Sequence, residues 1–194
     1  MSSLFTVAEI ELARLGLAEV DGDDLDVVVG GLGLGYTAVA ALEDDRVDCL
    51  VVVEALGEVI GWHERGLLPE AAALVEDPRT RLAQGDFFAM AAGDRGFDPA
   101  VPGRQFDAIL LDVDHSPRHV LHASHAGFYT ADGLRRLQRF LAPGGAFALW
   151  SDDPPDDGFL DVLHEVFAHA RAEVVTFPNF LIGGESANTV YLAR

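Results

Sequence analysis

Apolar positions in this chain fall into two alternating patterns, short continuous runs and longer stripes at helical spacing. The continuous runs are 27–29 (VVV), 49–53 (CLVVV), 106–112 (FDAILLD) and 146–150 (AFALW), with a weaker one at 81–85 (RLAQG). Runs this short that lack polar alternation predict strands buried on both faces of a sheet. The stripes lie between them. Residues 4–17 place Leu4, Val7, Ile10 or Ala8, Leu12 or Glu11 and Leu15 at helical intervals, and Leu56, Val59, Ile60 and His63 repeat the spacing. Leu134, Leu137, Phe140 and Leu141 mark another helix, and Phe159, Val162, Leu163, Val166 and Phe167 a last one. Gly66 with Pro69, and Pro143 with Gly144 and Gly145, are read as the stops of two of these helices. Two final strand-like runs, Glu173–Phe177 and Thr189–Leu192, are joined by a Gly-Gly loop with no helix between them, which predicts an antiparallel hairpin. The expected architecture is α/β, a doubly wound and mostly parallel sheet closed by that hairpin.

The junction after the first strand carries the most chemistry. Val27–Val29 meet Gly30, Gly31, Gly33 and Gly35, and an Ala-rich helical segment follows. Glycines accept positive φ and let a ligand approach the main chain, and the first helical turn offers free N–H groups. Gly33, Gly35 and Ala38 fit the relaxed dinucleotide pattern G-x-G-x-x-A, whereas Gly31, Gly33 and Gly35 fit the G-x-G-x-G loop of proteins that bind S-adenosylmethionine. Glu54 closes the second strand about twenty residues on, where an acid can accept both hydroxyl protons of a ribose.

Composition narrows the partners. With 32 acidic residues, 13 arginines and no lysine, the formal charge is −19. Such a surface repels phosphate backbones, so nucleic acid is not expected, and it attracts cations such as amines, although most of the acids fall in loops where they serve solubility. The length of 194 residues and 49% hydrophobic content fit one domain. No apolar run approaches the roughly 18 residues of a membrane span, and MSSLFTVAEIELARLGL lacks the basic start of a signal peptide, so a cytoplasmic location is expected. The single cysteine, Cys49, sits in a strand and reads as core packing.

Further acids gather where strands end. Asp86 follows the third strand and suits either an N-cap or a ligand contact. Asp112 and Asp114 follow the fourth strand, and Trp150, Ser151 and Asp152 emerge from the fifth at the same sheet edge. Next to them, HSPRHVLHASH places His115, His119, His122 and His125 within eleven residues. Pro117 and Gly127 disfavour the long helix that would align these imidazoles for a metal, so the segment is read as a flexible lid with His115 meeting the substrate, and no metal is expected.

With these motifs assembled, the chain resembles the spermidine synthases, the polyamine aminopropyltransferases, and beyond them the class I S-adenosylmethionine-dependent methyltransferases. VVVGGLGLG is similar to the family's nucleoside loop, Glu54 to its ribose acid, Gly85-Asp86 to its adenine-contacting pair, FDAILLDVD to the strand of its catalytic aspartate, and FYTADGLRRLQRFLAPGGAFALW to the segment after it. The resemblance implies a Rossmann-like, methyltransferase-like fold. It also implies S-adenosylmethionine or its decarboxylated form as co-substrate, held by Gly31, Gly33, Gly35, Glu54, Asp86 and Phe87. Asp112 would stand nearest the reacting centre, Asp114 or Asp152 would steer a cationic acceptor such as a polyamine, and Trp150 would offer it a ring face.

Three departures stand out. Gly33 occupies the place of an aspartate in the family's loop, DVDHSP replaces its D-[ST]-[ST]-D-P signature, and the N-terminal β-rich domain is not expected here. The leading expectation is therefore a transferase that passes a methyl or aminopropyl group to a small cationic acceptor, with a homodimer as the assembly in view. The alternatives are a catalytically silent nucleoside-binding relative acting as an interaction protein, and a nicotinamide-dependent oxidoreductase.

Overall fold

The computed structural model describes residues 5–194. Its elements follow in the order α1 (Val7–Ala18), β1 (Leu25–Gly30), α2 (Tyr36–Leu42), β2 (Val47–Glu54), α3 (Gly57–Glu64), α4 (Ala71–Val75), β3 (Thr80–Gln84), α5 (Phe87–Ala92) and β4 (Phe106–Leu111). After a 3-10 turn at Ala123–Gly127 come α6 (Ala131–Gln138), β5 (Leu141–Ser151), α7 (Asp157–Val166), β6 (Ala170–Pro178) and β7 (Glu185–Ala193). The seven strands form one sheet in the order β3-β2-β1-β4-β5-β7-β6. Strands β1 to β5 pair in parallel, and β7 runs antiparallel to both β5 and β6. The order reverses at β1, so the crevice between the ends of β1 and β4 is a topological switch point, where sheets of this kind bind ligands.

The continuous apolar runs became central strands because both faces of the sheet are covered. Alternate residues of β1, Val27 and Val29 on one side and Val28 on the other, enter two separate cores. One core lies under α1, α2, α3 and α4, and the other, rich in phenylalanine, lies under α5, α6 and α7. Helix α1 crosses the first face at Gly16, where a Cβ would come within 2.5 Å of Leu110 Cδ2 and 3.0 Å of Ala148 Cβ. Its buried stripe is Ala8, Leu12, Ala13, Gly16 and Leu17. That differs from the expected Val7, Ile10 and Leu15 because the small residues are what allow close approach to the sheet. Leu4, the first residue of that expected stripe, lies outside the described residues.

Two other expectations shift. Helix α6 ends at Gln138, before Pro143 and the glycine pair, and β5 already pairs Leu141 with Phe106. The register then jumps, with Ala146 next opposite Ala108, so Ala142–Gly145 bulge from the ladder, and Gly144 (φ +83°) takes a backbone conformation that suits glycine. The short helix α4, which the periodicity did not announce, places Leu74 in the first core. No helix among the described residues is long and apolar enough to cross a membrane.

Candidate functional site

The parallel strands end at a common edge, and the residues just beyond them form one connected arrangement. Gly31 has φ +95°, and a Cβ there would sit 2.1 Å from the carbonyl oxygen of Asp112. Only glycine fits, because the loop after β1 is packed on the backbone that leaves β4. The two segments are also tied by Asp112 N–H donating to Gly30 O at 2.8 Å. Gly33 and Gly35 have positive φ as well, and the ring of His63 on α3, fully buried, supports the loop from beneath with Nε2 3.1 Å from Gly33 O.

Glu54 holds the other side of the same loop. One carboxylate oxygen accepts from Leu32 N at 3.1 Å and the second from Leu56 N at 2.9 Å. Each oxygen keeps lone-pair capacity beyond its amide, so the carboxylate is fixed in place and can still accept from a pair of vicinal hydroxyls.

Asp112 belongs to the face of the sheet covered by α1 and α2. Its Oδ2 accepts from Thr37 Oγ1 at 2.9 Å. Burial pushes its pKa up to about 6, against the lowering effect of the Thr37 hydrogen bond. Glu9, in the first turn of α1, is pushed up to about 7 by burial and further by the negative charge of Asp112. Both groups therefore hold their protons to higher pH than exposed carboxylates, chiefly through burial. Trp150 follows the parity of Ala146 and Ala148, packs against this same core, and among the described residues its buried Nε1 has no hydrogen-bond partner.

The raised pKa of Glu9 has a consequence for stability. Between the unfolded value near 4.5 and about 7, the native state holds a proton that the unfolded chain has released, so stability falls as pH rises through this window. Glu9→Gln is expected to be more stable than the parent at pH 8 by about 1–2 kcal/mol and equal to it at pH 4. Calorimetric melting at both pH values checks this, and a difference that does not change with pH would refute it.

Other sequence-nominated residues sit differently. Asp114 is fully buried on the opposite face, where it accepts from Leu121 N at 2.7 Å, His125 Nδ1 at 2.9 Å and Tyr129 Oη at 2.8 Å. It anchors the 115–125 segment and is closed to an incoming cation, which corrects its expected steering role. Phe87 is buried and stacked on Phe97 with ring centroids 4.6 Å apart, so it packs beneath Gly30 rather than facing a cofactor. Asp86 is the N-cap of α5, its Oδ1 accepting from Phe88 N at 2.9 Å and Ala89 N at 3.1 Å, and it remains exposed at the edge. Exposed Asp152 accepts from Asn188 Nδ2 at 2.8 Å, and its N–H donates to His115 O at 2.7 Å. The side chain of His115 is exposed.

The remaining histidines take separate partners: His119 pairs with Asp153 at 2.7 Å, His122 with Ser124 at 2.7 Å, and His125 with Asp114 while stacking on Phe88. Among the described residues no three metal-ligating side chains gather. An open cavity of about 460 Å³ lies between the 116–119 and 151–158 segments, bordered by Ser116, His119, Asp153 and Tyr191. Tyr191 packs edge-on against Phe159 of α7, so this cavity belongs to the face opposite Asp112.

Sequence reading missed Thr37, and it connected Glu9 with the site only through a faint likeness of the chain's start to the family's substrate-side segment. Thr37 carries no signal, since its partner is 75 residues away. Glu9 carries a further signal: it is three and four residues before Leu12 and Ala13, a half-buried acid beside the buried stripe of its helix.

No family model matches the chain. A polyamine aminopropyltransferase of Nitrosomonas europaea is 29% identical over 133 residues, which are 69% of this chain and 37% of that protein. The spermidine synthase from Thermotoga maritima superposes with a TM-score of 0.72 over 96% of this chain and 59% of its own length, at 18% identity. Human methyltransferase-like protein 13, solved with SAH, gives a TM-score of 0.65 over 96% of this chain and 77% of its own, at 19% identity. The chain thus has a class I methyltransferase-like fold, is similar to the polyamine aminopropyltransferases, and spans little more than a third of the curated relative's length.

Proposed function

We propose that this chain is a transferase that binds S-adenosylmethionine or its decarboxylated form and passes a methyl or aminopropyl group to an amine. The observation that carries this reading is the single glycine loop whose one side rests on the Asp112 backbone while its other side is hydrogen-bonded to Glu54. Glu54, as the ribose acid, and Asp112, as the base, would then flank the same loop. The similarity to aminopropyltransferases supports the same reading.

The residues present suit such a co-substrate. Positive φ at Gly31, Gly33 and Gly35 bends the loop so that its backbone can face a ligand, Glu54 would accept the ribose hydroxyls, and Asp86 would stand beside the base. The donor supplies an alkyl carbon activated by a sulfonium. At that carbon an amine lone pair forms the new C–N bond as the C–S bond breaks, and sulfur leaves as a neutral thioether with the bonding electrons. Asp112 would take the proton lost by the amine, and burial tunes it for that task by raising its affinity for the proton. His115 and Asp152, exposed beside the site, and Trp150 on the α1 face would border the acceptor's path.

Calorimetric titration with S-adenosylmethionine, decarboxylated S-adenosylmethionine, methylthioadenosine and NAD tests the proposal. One of the three sulfur nucleosides is expected to bind, and the preferred donor identifies the group transferred. Glu54→Ala is expected to weaken that binding roughly 10- to 100-fold through loss of charge-assisted ribose hydrogen bonds. Binding of NAD alone, or an unchanged affinity in Glu54→Ala, would overturn the reading.

A further inference from the structure

We propose that His63 is a positioning residue of the glycine loop: it draws the Gly33 carbonyl towards α3 and so turns the Leu34 amide to the side on which the co-substrate would lie. This rests on the nucleoside-site reading above and deepens it.

His63 is a buried titratable group for which the transfer chemistry has no use. Val59, one turn earlier on α3, enters the core under α2, and His63 on the same stripe is only 1% exposed. A histidine is costly in such a place. Its Nε2 lies 3.1 Å from Gly33 O, a carbonyl that can only accept, so the ring carries its hydrogen on Nε2. Nδ1 is left as an acceptor, and among the described residues it has no partner. A phenylalanine would fill the same space without burying a lone pair, so packing alone does not account for an imidazole. What the imidazole adds is the Nε2–H donor.

The loop needs that donor because of its composition. Gly33 and Gly35, at φ +49° and +97°, belong to a segment with wide conformational freedom, and contacts from below must fix it. The His63 ring makes two of them. Besides the bond to Gly33, a Cβ on Gly35 would come within 3.0 Å of His63 Cε1 and 2.7 Å of Leu74 Cδ1. In a trans peptide the C=O and N–H point in opposite directions, so a Gly33 carbonyl drawn to His63 sends the Leu34 N–H away from it. Among the described residues that N–H has no backbone acceptor. It can donate to an oxygen of the sugar whose hydroxyl protons Glu54 would accept, and Glu54 fixes the nearby Leu32 amide from the other side of the loop.

Calorimetry with methylthioadenosine on the parent and two variants tests this. His63→Phe keeps the ring volume and removes the donor. It is expected to bind methylthioadenosine roughly tenfold more weakly than the parent while melting no lower, since the buried lone pair goes as well. His63→Gln restores a side-chain N–H donor and is expected to recover the parent's affinity to within about threefold. Full affinity in His63→Phe, or a Gln variant no better than the Phe variant, overturns the proposal. Affinity lost only together with a lowered melting temperature assigns the ring to packing and overturns it equally. Should the Phe variant not fold, the parent decides: long-range proton–nitrogen NMR correlations are expected to place the hydrogen on Nε2 of His63, and a hydrogen on Nδ1 alone overturns the proposal. Failure of the parent to bind methylthioadenosine would instead bring down the nucleoside-site reading, and this inference with it.

Discussion

Asp112→Asn is expected to lower the rate of group transfer about a thousandfold, within the range that loss of a positioned general base produces. Affinity for methylthioadenosine should change less than about twofold, because the variant leaves every backbone contact of the glycine loop in place. The substitution is nearly isosteric, and the amide oxygen can still accept from Thr37 Oγ1, now 2.9 Å from Asp112 Oδ2, so the site keeps its shape. What disappears is a group that can take a proton. Burial pushes Asp112 up to about 6, so the parent's kcat/KM should rise with pH as this carboxyl loses its proton. That limb of the profile should vanish in the variant. Single-turnover assays from pH 5 to 9 with the donor identified by calorimetry would measure both effects. A loss smaller than tenfold, or an unchanged profile, would remove Asp112 from the role of base.

The largest effect on stability is expected at Asp114, whose replacement by Ala should cost about 3–5 kcal/mol. This carboxylate has no exposed surface and accepts from a backbone amide, an imidazole and a phenol. Its removal leaves the buried Tyr129 hydroxyl without an acceptor, frees the Leu121 amide and the His125 ring, and empties space beside Phe88 and Tyr129. Asp114→Asn should be milder, since one oxygen remains to accept from Tyr129 or Leu121. Burial and the neighbouring Asp114 charge hold the Tyr129 hydroxyl protonated far above its usual range, so this donor stays in place throughout the accessible pH scale. Urea denaturation would report the loss as a lowered midpoint with an unchanged slope. A loss below about 1 kcal/mol would mean that the 115–125 segment is held chiefly by His119 with Asp153 and by Arg118 with Asp156.

Much of the fold was legible because its signals are local. Strands buried on both faces must be continuously apolar, and β1, β2 and β4 are; a Gly-Gly turn between two β-rich runs can only be a tight reversal, and β6 and β7 pair through one. The glycine loop and Glu54 were equally visible, because positive φ demands glycine and a strand end demands nothing of an acid unless something outside the strand uses it. Phe87 and Asp114 were nominated by proximity to such strand ends, but proximity along the chain does not say which way a side chain turns.

The sequence by itself thus determined the order and kind of the elements, the loop that any nucleoside would have to meet, and the edge of the sheet on which chemistry could occur. Only tertiary structure decided which of the acids at that edge are available. Asp112 turns to Thr37 because it shares the parity of Ala108 and Leu110, whereas Asp114 is drawn to the other side by Tyr129 and His125. Likewise, β7 is inserted between β5 and β6, an ordering that depends on strand pairing across the whole chain. Burial and charge coupling arise from residues brought together by packing, and the periodicity of a single segment contains no record of them.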